Sequence, residues 1–145
     1  MKRDYPDRPI VGVGAVIVHH GRALLVRRNT EPLKGEWSVS GGALELSEKL
    51  RDAVQREALE ETSLQVEAQE VLEVFDSIFT DGDGRTQYHY VLVDYLCRVV
   101  AGEARAGSDV SAVRWVTEEE LAGLALRESI ERVVRKGLEL ARRGI

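Results

Sequence analysis

Apolar and polar positions along the chain switch between the period of a strand and that of a helix. Ile10 to Val18 is a nearly unbroken run rich in Val and Ile, His19-His20-Gly21 has turn chemistry, and Ala23 to Arg27 is apolar again, which together predict a hairpin. Asn29 to Glu36, polar and carrying Pro32 and Gly35, predicts a loop that leads to Trp37 and the Gly41-Gly42 pair. From about Ser47, placed to serve as N-cap, the pattern predicts a helix running to about Thr62. Gln65 to Phe79 and Gln87 to Val100 are β-rich, and the Asp81-Gly82-Asp83-Gly84 segment between them favours a turn, so a second hairpin follows. Val110 to Val116 predicts a short strand, Thr117 caps a short acidic helix through Leu121, and Leu126 to Arg142 has helical periodicity. Arg142-Arg143 then complements the dipole at that helix's C-terminus.

Composition bounds this mixed α and β chain. Its 145 residues match one domain able to bury a continuous core, and no repeat, low-complexity block or linker marks a second, so residues 1–145 are expected to form a single domain. With 43% hydrophobic and 31% charged residues of both signs, the chain reads as globular and not disordered. A formal charge of -5 argues against stable binding of nucleic acid, which needs clustered Lys and Arg, and fits a local acidic site that takes up a cation. Cys97 is the only cysteine, so no internal disulfide can form; it lies in the apolar run Tyr90 to Val100 and reads as a packed core thiol. The first residues, MKRDYPDRP, lack a signal-peptide core, and Ile10 to Val18 is too short for a membrane span of ~20 residues. A cytoplasmic protein without membrane partners is the expectation.

The helix from Ser47 to Thr62 has acids on the wrong face. Glu57, Glu60 and Glu61, at i, i+3 and i+4, fall within an arc of about 100°. Leu50, Ala53 and Val54 point into the same sector, while Asp52, Gln55 and Leu59 lie opposite. A surface helix normally segregates these classes. Carboxylates crowded on a half-buried face either raise one another's pKa or gather a cation. The alternative is a solvated face paired to Arg51 and Arg56. Oxygen ligands without His and Cys favour magnesium, manganese or calcium over zinc, with magnesium or manganese the expectation. Gly41 and Gly42, lacking Cβ atoms, allow a sharp turn and let a backbone carbonyl approach the cation.

The segment Gly41 to Leu64 resembles the Nudix box, G-x5-E-x7-R-E-U-x-E-E-x-G-U with U aliphatic: Gly42, Glu48, Arg56, Glu57, Glu60, Glu61 and Leu64 match at the required spacing, with Ala58 at the first U. Glu31-Pro32, Gly35, Trp37 and Gly41-Gly42 are similar to the loop and strand before the box in many members. Ser63 stands where the box has glycine, and Ser40 where a proline often precedes the glycine pair. The resemblance implies an α/β/α sandwich with a mixed sheet and magnesium-dependent hydrolysis of a nucleoside diphosphate linked to another group. Manganese is the expected substitute. It also implies that Glu57, Glu60, Glu61 and the Gly42 carbonyl hold the metal, that Arg56 orients the acids, and that Glu48 is an outer acid able to support a further metal; Glu45 lies in the same loop. The water's proton is expected to pass to Glu57 or to Asp109, six residues before Trp115, which other members' distal-loop acid makes the second candidate. A homodimer is also implied.

Arg27, Trp37, Phe79, Tyr88 and Tyr90 are candidates to line a nucleotide site. In Tyr88-His89-Tyr90 the tyrosines face one side of a strand and His89 the other. The Glu31-Pro32 loop and strand order look similar to small bacterial ADP-ribose pyrophosphatases, so an ADP-ribose-like small molecule is the favoured substrate. Leu64 to Arg105 lacks the proline some of those carry. Two other functions stay open: a nucleoside triphosphate pyrophosphohydrolase that cleans nucleotide pools, and a noncatalytic sensor that binds a nucleotide.

Overall fold

The computed structural model describes residues 2–144. The first apolar run forms β1 (Ile10–His19), which turns at His20-Gly21 into β2 (Arg22–Arg28). β3 (Trp37–Ser38) and β4 (Ser40–Ala43) precede α1 (Leu50–Thr62). The long hairpin of β5 (Gln65–Thr80) and β6 (Thr86–Ala101) follows, then β7 (Val110–Val116), a 3-10 turn over Glu118–Leu124, and α2 (Glu128–Arg142). The expected acidic helix after Thr117 is therefore the tighter 3-10 form. Thr117 and Glu120 close it with reciprocal side-chain to backbone hydrogen bonds, as the capping reading required.

β1 and β6 run parallel at the centre of a seven-stranded mixed sheet of order β3-β2-β1-β6-β5, with β4 added to β1 and β7 to β2. β1 is shared along its length: its first half pairs β4, from Gly12↔Ala43 to Ala15↔Ser40, and its end pairs β2. The apolar stretch of β1 is nearly unbroken because both its faces are covered. On one face Val13, Ala15 and Ile17 meet Ala53, Val54 and Ala58 of α1, together with Val93, Tyr95 and Cys97. On the other, Val16, Leu25, Leu72 and Leu96 meet Val133, Val134 and Leu138 of α2. Helix, sheet and helix make the α/β/α sandwich that the resemblance implied, and Cys97 is a buried core thiol, its pKa pushed up to about 12 by burial. Among the described residues no helix is long and apolar enough to cross a membrane.

Two local expectations are corrected. Ser47 is not the N-cap: it sits at φ 67 within the turn before the helix, and Lys49, in extended conformation without a side-chain cap, takes that place. Gly41 and Gly42 do not turn sharply; they are strand residues paired with Gly14 and Val13. Their missing Cβ atoms serve close approach instead. A Cβ on Gly42 would lie 2.3 Å from the carboxyl carbon of Glu57, and one on Gly41 would lie 2.2 Å from the Val13 carbonyl oxygen.

Candidate active site

The acidic stripe of α1 lies against β4. Arg56, in the middle, is the hub. Its Nε donates to Glu48 Oε2 at 2.7 Å and its Nη2 to Glu48 Oε1 at 2.9 Å, a two-pronged pair, while Nη1 donates to Glu57 Oε1 at 2.8 Å and Glu60 Oε2 at 3.4 Å. Nη2 also reaches the Ala43 carbonyl at 3.2 Å, tying the helix to the end of β4. The planar guanidinium can hold several acids at once, where an ammonium is a single point of charge. The hydrogen bonds to Glu48 above all hold Arg56 protonated, and the same contact depresses the Glu48 carboxyl. Glu48, expected as an outer metal acid, spends both its oxygens on Arg56 in this arrangement; Glu45 stands off at 3.8 Å. Arg51 leaves the acids altogether, donating to the carbonyls of Ala68 and Gln69.

Glu57 and Glu61 are the two acids that face inward. Burial is the main force pushing the Glu57 carboxyl up, with Arg56 opposing it. Glu61, 8% exposed, accepts from the Ser40 hydroxyl at 2.8 Å and from the Gly41 N–H at 2.9 Å, both on Oε1. Burial still outweighs these donors and raises its pKa to about 7, and the charge of Glu57 adds to the rise. Neither Glu57 Oε2 nor Glu61 Oε2 receives a hydrogen bond from the described residues, so each inward carboxylate has an oxygen to offer. Glu60 is half exposed at the rim. Among the described residues no three acids converge into a closed metal cage; the side chains are gathered by Arg56 and Ser40 instead. Two inward, mutually repelling carboxylates, Glu61 buried and Glu57 partly so, with free oxygens are nonetheless a donor set of the type hard divalent cations take.

The distal loop is brought to the same helix. The last carbonyls of α1, which no intrahelical donor can reach, accept from the N–H groups of Arg105, Gly107 and Ser108, paired with Thr62, Glu61 and Glu60 at 2.8, 2.8 and 3.2 Å. A Cβ on Gly107 would lie 1.9 Å from the Glu60 oxygen, so this docking requires glycine. Asp109 follows directly, exposed and at φ 62, its carbonyl accepting from Asn29 N–H at 3.1 Å. The structure thus brings Asp109 to the end of α1, where its carboxylate faces solvent, whereas Glu57 is enclosed.

Of the candidate lining residues, Tyr88 and Tyr90 stack at 6.5 Å between ring centroids, and Phe79 meets Tyr88 edge-on at 6.1 Å. Burial pushes the Tyr90 phenol up while the charges of Arg3 and Arg28 pull it down. Those two arginines also act on Glu57 and Glu61 respectively, so Tyr90 shares its electrostatic surroundings with the acids. Arg27 is exposed and donates to the Gly35 carbonyl at 3.1 Å; its neighbour Arg28 donates to the Pro32 carbonyl at 2.7 Å and acts on Glu61 only through its charge. Trp37 packs half-buried on the α2 side of the sheet. Sequence reasoning missed Arg3 and Arg28, and treated Ser40 only as a departure from the box, although its hydroxyl is what a proline there could not supply to Glu61.

A family profile for the NUDIX domain matches residues 8–137. Over 117 residues, 81% of this chain and 67% of its relative, the sequence is 32% identical to an ADP-ribose pyrophosphatase from Methanocaldococcus jannaschii. The fold is similar to a MutT Nudix hydrolase from Burkholderia pseudomallei, with a TM-score of 0.73 and 29% identity over 90% of this chain and 98% of that one. It is likewise similar to an ADP-ribose pyrophosphatase from Streptococcus suis, with a TM-score of 0.70 and 28% identity over 93% of each chain. The chain belongs to the Nudix hydrolase family, enzymes that act on phosphoanhydride bonds of small nucleotide substrates and generally use divalent metal ions.

Proposed function

We propose that this hydrolase splits the diphosphate linkage of an ADP-ribose-like nucleoside diphosphate derivative, with magnesium, or manganese in its place, as the cation. The observation that carries this reading is the pair of inward carboxylates, Glu57 against Gly42 and Glu61 on Ser40, each with an oxygen left free. Glu57, Glu61, the rim acid Glu60 and the Gly42 carbonyl would hold the cation. When bound, magnesium neutralises charge on a diphosphate and makes a water more acidic.

The chain's own residues supply the rest. Arg56 keeps Glu57 and Glu48 in place, so the acids need not reorganise as substrate arrives. Arg28 and Arg3 bring positive charge to the edge of the acid cluster, where a diphosphate must come close to carboxylates. Glu57 is the better placed of the two candidates, because its carboxylate lies inward beside the proposed cation donors while that of Asp109 faces solvent. The loop before Asp109 caps the end of α1 through the N–H groups of Arg105, Gly107 and Ser108. Two relatives described as ADP-ribose pyrophosphatases support the substrate class.

The test is hydrolysis of ADP-ribose, sugar nucleotides, dinucleoside polyphosphates and nucleoside triphosphates, each with magnesium and with a chelator. We expect magnesium-dependent release of AMP from ADP-ribose, and Glu57→Gln should lower kcat by about 10²–10⁴-fold while Asp109→Asn costs less than about tenfold. No metal-dependent turnover of any diphosphate, or faster turnover of triphosphates than of ADP-ribose, would overturn the substrate reading; full activity in Glu57→Gln would remove Glu57 from the chemistry.

A further inference from the structure

The strap of residues 2–9 enters β1 from the turn end of the β5–β6 hairpin, where a clasp fixes it. Tyr5 N–H donates to the Gln87 carbonyl at 2.7 Å, its hydroxyl donates to Asp81 Oδ2 at 2.8 Å, and the Arg85 guanidinium lies 4.9 Å from the centre of its ring. Asp81 is itself held by the N–H groups of Asp83 and Arg85, both at 2.9 Å. The strap is therefore a fixed wall.

That wall and the turn between β4 and α1 enclose a cavity of about 820 Å³, a volume that suits a small organic ligand. Pro6 and Pro9 of the strap, Ile10 and Val11 of β1, and Leu44 and Leu46 of the turn give it apolar sides. Two of them are left in water: Val11 is 37% exposed and Leu46 97%. The turn holds Leu46 out at its tip. Glu48 N–H donates to the Glu45 carbonyl and Glu45 N–H to Glu48 Oε1, both at 3.1 Å, and Ser47 takes φ 67, a conformation costly for a residue with a Cβ. Apolar surface gathered around a concavity, and not scattered singly, marks a binding site.

The cavity lies on the same face of the sheet as the acid cluster. Gly42 faces Glu57, and the pairing of β4 with β1 runs on through Leu44, whose N–H donates to the Val11 carbonyl at 2.9 Å. By alternation Leu44 projects to the side that Gly42 faces, about 7 Å further along the chain, and it packs on the α1 core accordingly. Glu48, which Arg56 grips through two nitrogens, and Glu45, 3.8 Å from Arg56, both line the cavity and mark its boundary with the cluster. Exposed Lys2 and Arg8 of the strap line it as well, and the charge of Arg3 acts on Glu57. An apolar cavity edged with cations thus adjoins the proposed cation donors.

We propose that this cavity is the nucleobase site of the substrate: the base is buried against Val11, Leu44 and Leu46, within one nucleoside's length of the cation at Glu57 and Glu61. The inference rests on the nucleotide reading above. The cation end holds the diphosphate, which every such substrate shares, and the base adds affinity by taking apolar surface out of water. Walls already fixed by the Tyr5 clasp and the Glu45–Glu48 turn need little ordering when the base arrives.

The experiment compares binding of AMP with that of ribose 5-phosphate, which lacks the base, to the wild-type chain in magnesium, and follows the methyl resonances of Val11, Leu44 and Leu46. We expect AMP to bind at least about tenfold more tightly, the worth of burying part of a base, and those methyls to shift with AMP and stay in place with ribose 5-phosphate. Leu46→Asp changes a side chain that the fold does not bury, so it should unfold at the wild-type temperature while raising KM for ADP-ribose by about three- to tenfold, with the larger effect on KM and not on kcat. Equal affinity for the two phosphates, unmoved methyls, or an unchanged KM in Leu46→Asp overturns the proposal. Methyl shifts that follow protein concentration and not AMP would overturn it too, making the cavity a contact between copies of this chain. Magnesium-dependent ADP-ribose hydrolysis with unmoved methyls would refute the cavity alone. Shifts with AMP together with faster turnover of triphosphates would keep the cavity and refute the ADP-ribose reading.

Discussion

At the scale of single residues, Arg56 shows how much of the site depends on shape and not on charge alone. Its guanidinium serves Glu48 through two nitrogens, Glu57 and Glu60 through the third, and Ala43 besides. A lysine keeps the charge but has neither the fork nor the reach in three directions. Arg56→Lys should therefore fold and yet lose at least about tenfold in kcat, because Glu57 is no longer held; kcat equal to wild type would show that Arg56 only balances charge. The residues visible in the sequence were those whose roles follow from local spacing. Glu57, Glu60 and Glu61 share a face because helix geometry is known in advance, and Arg56 precedes Glu57 on the same turn. Ser40 and Arg28 were not visible, nor was the burial of Asp94, because a hydroxyl meets Glu61, or a carboxyl meets Gly14, only through strand pairings between residues far apart in sequence. Asp94 did leave a trace, as a lone charge in an apolar strand.

At the scale of elements, α1 is anchored at both ends by segments that follow or precede it in the chain. Arg56, at its middle, ties it to the Ala43 end of β4 and to Glu48 just before its start, and its end is held by the loop carrying Gly107. The turn leaving α1 is made by Ser63 in the left-handed region, φ 64, with its N–H on the Leu59 carbonyl at 3.0 Å. That is the geometry glycine would adopt without steric cost, and a non-glycine residue there costs roughly 1 kcal/mol. Ser63→Gly should stabilise the chain by about 0.5–1 kcal/mol, a rise in Tm of about 3 °C, and leave kcat/KM unchanged. A lower Tm would mean that the serine side chain makes a contact worth more than the strain. The hairpins and both α helices were legible from periodicity. The N-terminus of α1 was not: Ser47 has cap chemistry, but the turn places it two residues too early, and Arg56's hold on Glu48 fixes where the helix begins.

At the scale of the whole molecule, the sandwich buries two carboxyls that the unfolded chain would leave in water. Glu61 and Asp94 both have folded pKa values of about 7, each raised chiefly by burial. A folded state that holds these protons more tightly than the unfolded one is stabilised below the ordinary carboxylate range, and loses that stability as pH rises from about 4 to about 7. Glu48, Asp81, Glu118 and Glu120 act in the opposite sense: hydrogen bonds, from Arg56, from the Arg85 and Thr117 backbone and from Arg142, depress their pKa values. Their contribution is lost as pH falls below about 4. The metal-free chain should therefore be most stable near pH 5 and less so at pH 8, each buried acid costing on the order of 2 kcal/mol once ionised. Thermal unfolding in chelator at pH 5, 6, 7 and 8 measures this directly. Magnesium should restore stability at pH 8 by taking up the charge at Glu61, whereas Asp94→Leu should flatten the remaining slope without the metal. A metal-free Tm that rises steadily from pH 5 to pH 8 would mean that neither acid is buried without compensation, because only groups ionised more readily in the folded state than in the unfolded one give a slope of that sign.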